Sequence, residues 1–152
     1  AGFGAAFGQQ SGVITSSQDL YLLPRFPAGG DHVSAAEFRE KLFMKALPVS
    51  VVSPESPVMV SENPPKLRFY LKSEVVDRNS VRCFVPGPAT CEVRVVSEDD
   101  QLYAVEATKP ITSRRSKYTL TASDAPGETW YWFSQLWVQP RRGNVTDSPV
   151  PR

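Results

Sequence analysis

The sequence predicts a mainly β fold, an antiparallel two-sheet sandwich with one α-helix inserted early. Three observations carry this. From residue 66 onward, short runs alternate apolar with polar residues, the period of a strand with one wet face. The runs are separated by turn residues such as D-R-N-S and D-A-P-G, and their spacing of roughly 10–16 residues is that of sandwich strands. Fourteen prolines outnumber nine glycines, which suits short strands with protected edges.

Residues 1–12, A-G-F-G-A-A-F-G-Q-Q-S-G, carry no charge and no period, so they read as a flexible arm or linker. A first residue of Ala rather than Met marks the chain as a processed product or an excerpt. Residues 20–23 read as a short buried strand, closed by Pro24 and Pro27. Residues 34–47 are the one helix. Ser34 and Glu37 form a capping box, and Ala35, Phe38, Leu42, Phe43 and Ala46 make a stripe at helical spacing. That stripe is assigned to the core, and Pro48 ends the helix at Leu47. Residues 49–52 and 58–60 lie among prolines and read as edge strands. Residues 66–76 point Leu67, Phe69, Leu71 and Val75 inward. Strands follow at 81–85, 91–96, 102–107 and 117–122.

The last strand, residues 129–140, reads T-W-Y-W-F-S-Q-L-W-V-Q-P and holds all three tryptophans. Alternation puts Trp130, Trp132, Leu136 and Val138 on one face, assigned to the core. Tyr131, Phe133 and Trp137 fall on the other with Gln135 and Gln139, assigned to a partly wet binding surface. The expected division is therefore an arm at 1–12, a jelly-roll-like or immunoglobulin-like sandwich at 13–140, and an irregular tail at 141–152.

Charge narrows the function. Seventeen basic and sixteen acidic side chains leave a net charge of +1, which gives no field to hold nucleic acid. No apolar run reaches the ~18 residues of a membrane helix. No phosphate-cradling or dinucleotide glycine loop is present, so no cofactor is expected. Two cysteines and one histidine do not complete a tetrahedral metal shell without carboxylates. The acidic run Glu98-Asp99-Asp100 reads as a charged hairpin loop.

Cys83 and Cys91 share the parity of inward valines and flank P-G-P-A-T. One hairpin register would set them opposite each other. They form either a disulfide or two buried thiols. Asp31, His32 and Ser34 are the residue types of a hydrolase triad, but triads are built by geometry rather than adjacency. Ser34 is accounted for by the helix cap and Asp31 by a turn, and no G-x-S-x-G elbow occurs. No enzyme is expected, and an esterase-like hydrolase is the remote alternative. Asn144-Val145-Thr146 is a glycosylation sequon that matters in a secreted protein.

The layout as a whole resembles the coat-protein β domains of small RNA viruses, a projecting domain or a small jelly-roll subunit. The likeness rests on the Gly-Ala arm 1–12, the Pro-rich extended stretch 49–65, short strands, an early helix and the irregular tail 141–152. The resemblance implies a structural module of a virion. Its partners would be copies of itself or sister capsid subunits, and a cell-surface receptor or glycan if it faces outward. The missing basic arm favours that outward role. The alternative is an extracellular adhesion or carbohydrate-binding sandwich, with Tyr131, Phe133 and Trp137 as its platform and Cys83–Cys91 oxidised.

Overall fold

The computed structural model of the chain describes residues 2–28 and 34–140. Among these, eight strands follow one helix, α1 (Ala35–Phe43). They are β1 (Lys45–Ala46), β2 (Val49–Ser53), β3 (Lys66–Leu71), β4 (Arg82–Phe84), β5 (Cys91–Ser97), β6 (Leu102–Ala107), β7 (Arg115–Ser123) and β8 (Trp130–Val138). One sheet has the order β1-β8-β7-β4 and the other β2-β3-β6-β5. Every pairing between these strands is antiparallel except β1 with β8. A lone parallel bridge also joins Val58 to Val138. The fold is thus a mainly β, sandwich-like pair of sheets, as the alternation implies.

The inner faces meet in one core. Leu67, Phe69 and Leu71 of β3 and Tyr103, Val105 and Ala107 of β6 face Tyr118, Leu120 and Ala122 of β7, with Tyr131 and Trp137 of β8. Phe69 stacks on Tyr103 at 5.6 Å between ring centroids. Tyr118 meets Trp137 edge to face at 5.3 Å, a favoured aromatic geometry. The Tyr118 hydroxyl donates to the Pro65 carbonyl at 2.8 Å and accepts from the Ala107 amide at 3.0 Å. Both partners sit at ends of strands in the opposite sheet, so one buried oxygen spans the sandwich. Asn63 joins the loops beyond β2 and β6. Its side chain donates to the Ile111 carbonyl at 2.8 Å and accepts from the Ile111 amide at 2.6 Å.

Several expectations are revised. The two faces of β8 are reversed. Trp137 is 1% exposed and Tyr131 7%, and Phe133 packs against the core, while Trp130 is 42% exposed. The partner strand decides this. Register places Tyr131 opposite Ala122 and Phe133 opposite Leu120, but Trp130 opposite Ser123 and Trp132 opposite Thr121. The apolar face of β7 draws its neighbour's matching face inward.

The helix stops at Phe43, because Lys45 and Ala46 pair with Tyr131 and Trp132. Tertiary pairing overrides helical propensity there. No residue of α1 is buried, so its apolar stripe is not core. Residues 20–22 are exposed turn, and only Leu23 is buried, in a bridge to Phe7. Val75 lies beyond the end of β3 and is exposed.

Cys83 and Cys91 are bonded, yet they do not face each other in a hairpin. Cys83 lies in β4 and Cys91 in β5, which belong to different sheets, so the bond clamps one sheet to the other.

Truncating a buried tryptophan leaves a cavity that costs ~3–5 kcal/mol. Trp137→Ala is therefore expected to unfold the domain or lower its melting temperature sharply, while Trp130→Ala shifts it by only a few degrees. Thermal melts of the two variants check this, and equal effects would contradict the face assignment.

Burial pushes the Tyr118 phenol up to about 12. The amide of Ala107 opposes that shift and the charge of Glu106 reinforces it. The folded value lies above the ordinary ~10 of an unfolded tyrosine. Its contribution to stability is therefore complete below pH ~10 and lost as pH rises toward about 12. Denaturation midpoints across that range should show this loss in the wild type. Tyr118→Phe should remove the alkaline step and cost ~1–3 kcal/mol at neutral pH, because two buried backbone groups lose their partner.

Candidate functional site

The outer face of the β1-β8-β7-β4 sheet is where side chains converge without being consumed by the core. On β7 the outward residues are Lys117, Thr119, Thr121 and Ser123. Beside them on β8 stand Trp130, Trp132 and Ser134, and on β4 Phe84 lies opposite Thr119. Of these, Lys117, Thr119, Thr121, Trp130 and Trp132 floor a groove of about 510 Å³. Glu40 and Met44, from α1 and its C-terminal cap, form one wall. Phe84, Val85 and Pro86 form the other. The helix is held by its N-terminus: Ser34 Oγ accepts from the Glu37 amide at 3.2 Å, completing the expected capping box.

The chain's N-terminal segment closes one side of this face. Ser11 is 4% exposed. Its amide donates to Ser134 Oγ at 3.0 Å, and its carbonyl accepts from Ser134 Oγ at 2.5 Å and from Trp132 Nε1 at 3.1 Å. Phe26 meets the Trp132 ring edge to face at 5.3 Å. Residues 6–10 are themselves tied to residues 20–25 by backbone hydrogen bonds. The segment read as an arm or linker is docked as an extended strap, anchored at Ser11.

Trp132 is thereby fixed as half-buried floor, whereas Trp130 projects. Lys117 donates from Nζ to Ser11 Oγ at 3.0 Å. Burial lowers its pKa, and the nearby Lys41 ammonium lowers it further. Thr119 and Thr121 line the groove floor but are themselves buried, and their hydroxyls make no hydrogen bond within the described residues. A mostly apolar groove with a few convergent polar groups is the usual form of a binding site.

Of the expected platform, Tyr131 and Trp137 are buried in the core and Phe133 is partly buried against it. The aromatic residues of the outer face are the exposed Phe84 and Trp130 and the half-buried Trp132. The missed signal was the polar row of β7, T-x-T-x-S, which marks the face turned away from the core. Ser34 caps α1, while Asp31 and His32 lie outside the described residues, as does Asn144. Glu98, Asp99 and Asp100 form the β5–β6 turn, where Asp100 accepts from Ser97 Oγ at 2.9 Å. Comparison with protein-family models, with characterised proteins and with solved structures finds no match to this chain.

Ser134→Ala removes both hydrogen bonds between Ser134 Oγ and Ser11. The expected cost is ~1–3 kcal/mol, as a buried backbone carbonyl and amide lose a partner. Tryptophan emission should move to longer wavelength as the strap lifts from Trp132. An unchanged spectrum and melting temperature would show that the strap is not anchored at Ser11.

Proposed function

We propose that this chain is a recognition module of a cell or particle surface, binding a partner protein through the outer groove of the β1-β8-β7-β4 sheet. The observation that carries this is the exposed pair Phe84 and Trp130 beside the half-buried Trp132, all lining one groove. Interface anchors are enriched in such aromatic residues. The lining offers few hydrogen-bonding groups for its size, which suits an apolar side chain better than a sugar ring. The Cys83–Cys91 bond supports an oxidising location, extracellular or on a virion.

The strand order supports an immunoglobulin-like sandwich over a jelly roll. Lettered from β2 as A, the sheets become A-B-E-D and G-F-C, the constant-type order. Tyr118 sits near the start of strand F with its hydroxyl bonded to upstream backbone, as a tyrosine corner does. The Ser34 hydroxyl is engaged with Glu37 as a helix cap, which supports binding over the hydrolase alternative.

The coat-subunit reading keeps one observation in its favour. Phe3, Phe7, Leu20, Tyr21 and Leu22 are exposed together on the strap segment, a surface that a neighbouring copy would cover.

The test is staining of intact cells by the fluorescently labelled, multimerised domain, beside a glycan array. Protein-dependent staining that Trp130→Ala abolishes, with little change in melting temperature, is the expected outcome. Staining indifferent to Trp130→Ala and Phe84→Ala would overturn the assignment of the site. Array binding alone would move the ligand to carbohydrate, and sedimentation as a closed assembly would favour the coat subunit.

A further inference from the structure

The charge in the groove is one-sided. Lys117 is a half-buried cation on the floor, and it donates to the neutral Ser11 hydroxyl at 3.0 Å. Among the described residues, ion pairs join Lys66 to Glu106 and Arg94 to Glu92, and none reaches Lys117. The charged group that acts on it is Lys41, a second cation, from α1. Glu40 stands on the wall of the groove but is exposed and makes no ion pair with Lys117. A partly desolvated ammonium without a counter-charge is unfavourable, and a ligand carboxylate would offset that cost.

Next to this cation the surface is apolar, with Met44, Phe84 and Trp130 around the opening. The groove runs beside β4, which is the edge of its sheet. An edge strand presents backbone N–H and C=O groups along which an extended chain can lie.

Resting on the reading of this face as a protein-binding one, we infer that the groove takes an extended segment of a partner in which an aspartate or glutamate adjoins an aromatic or aliphatic residue. The carboxylate pairs with Lys117, and the neighbouring apolar side chain lies against Trp130 and Phe84. The segment's backbone follows β4.

Panning a displayed library of short random peptides on the immobilised chain tests this, with Lys117→Met, Lys117→Arg and Trp130→Ala as comparison surfaces. Melting curves establish that each variant is folded. The expected result is enrichment of acidic–apolar neighbours on the wild type and on Lys117→Arg. A synthesised peptide from that set should bind Lys117→Met and Trp130→Ala at least about tenfold more weakly, the scale of a lost charged hydrogen bond or aromatic anchor. Trp130-dependent peptides lacking an acidic residue, and binding Lys117→Met as well as the wild type, would overturn this inference and leave the protein-binding face standing. Absence of any Trp130-dependent peptide would overturn both. Laurate serves as a second probe: a Trp130-dependent change in indole fluorescence with laurate, and no selected peptide, would move the same carboxylate-plus-apolar chemistry to a lipid and sink the peptide reading.

Discussion

The buried hydroxyl of Tyr118 is the constraint around which the sandwich is arranged. It stands on β7, bonds to the end of β6 and to the residue before β3, and so fixes how far apart the two sheets lie and in what register. Trp137 packs edge-on against its ring. A polar atom this deep is stabilising only while both its partners are present. Its demands therefore reach into both sheets, and the inward parity of β7 and β8 follows from it. What is left pointing outward, the threonines and two of the tryptophans, becomes the candidate site.

Much of the fold was legible. Alternation in residues 66–76, 102–107 and 117–122 gave strands of the right type, because each has one apolar and one polar face, although the first ends at Leu71 and the last runs from Arg115 to Ser123. The Ser34–Glu37 cap was equally plain, since it is a local arrangement. The 130–138 strand was not, because both of its faces are aromatic and parity alone is then silent. Only pairing with β7 distinguishes them, and pairing is a non-local fact. The same holds for β1. Two residues following a helix carry no strand signal of their own, and they become a strand because the edge of β8 is open to them.

The candidate site was legible only in part. One aromatic face was expected to be a partly wet surface, but which one turned on the register with β7. The role of Ser11 had no signal at all. A serine in a Gly-rich, chargeless stretch gives no reason to expect that it anchors to Ser134 and Trp132, far away in sequence. The helix was recognisable, but its apolar stripe was assigned to an interior it does not enter. It forms a wall of the groove instead, which is why the groove has depth on what would otherwise be a flat sheet.

The leading segment grips β8 at both ends, in the same direction. Leu47 donates to the Trp132 carbonyl at one end, and Met59 and Pro57 exchange hydrogen bonds with Val138 at the other. Tension applied between the segment before β1 and the segment after β8 would thus drag two parallel strands past each other lengthwise. Their bonds must then fail together rather than peel apart one by one, and failure of that kind is set by the unfolding barrier rather than by equilibrium stability. Meanwhile the Cys83–Cys91 bond keeps the loop between β4 and β5 from paying out as slack. A domain built this way holds its shape under pulling force with its groove intact.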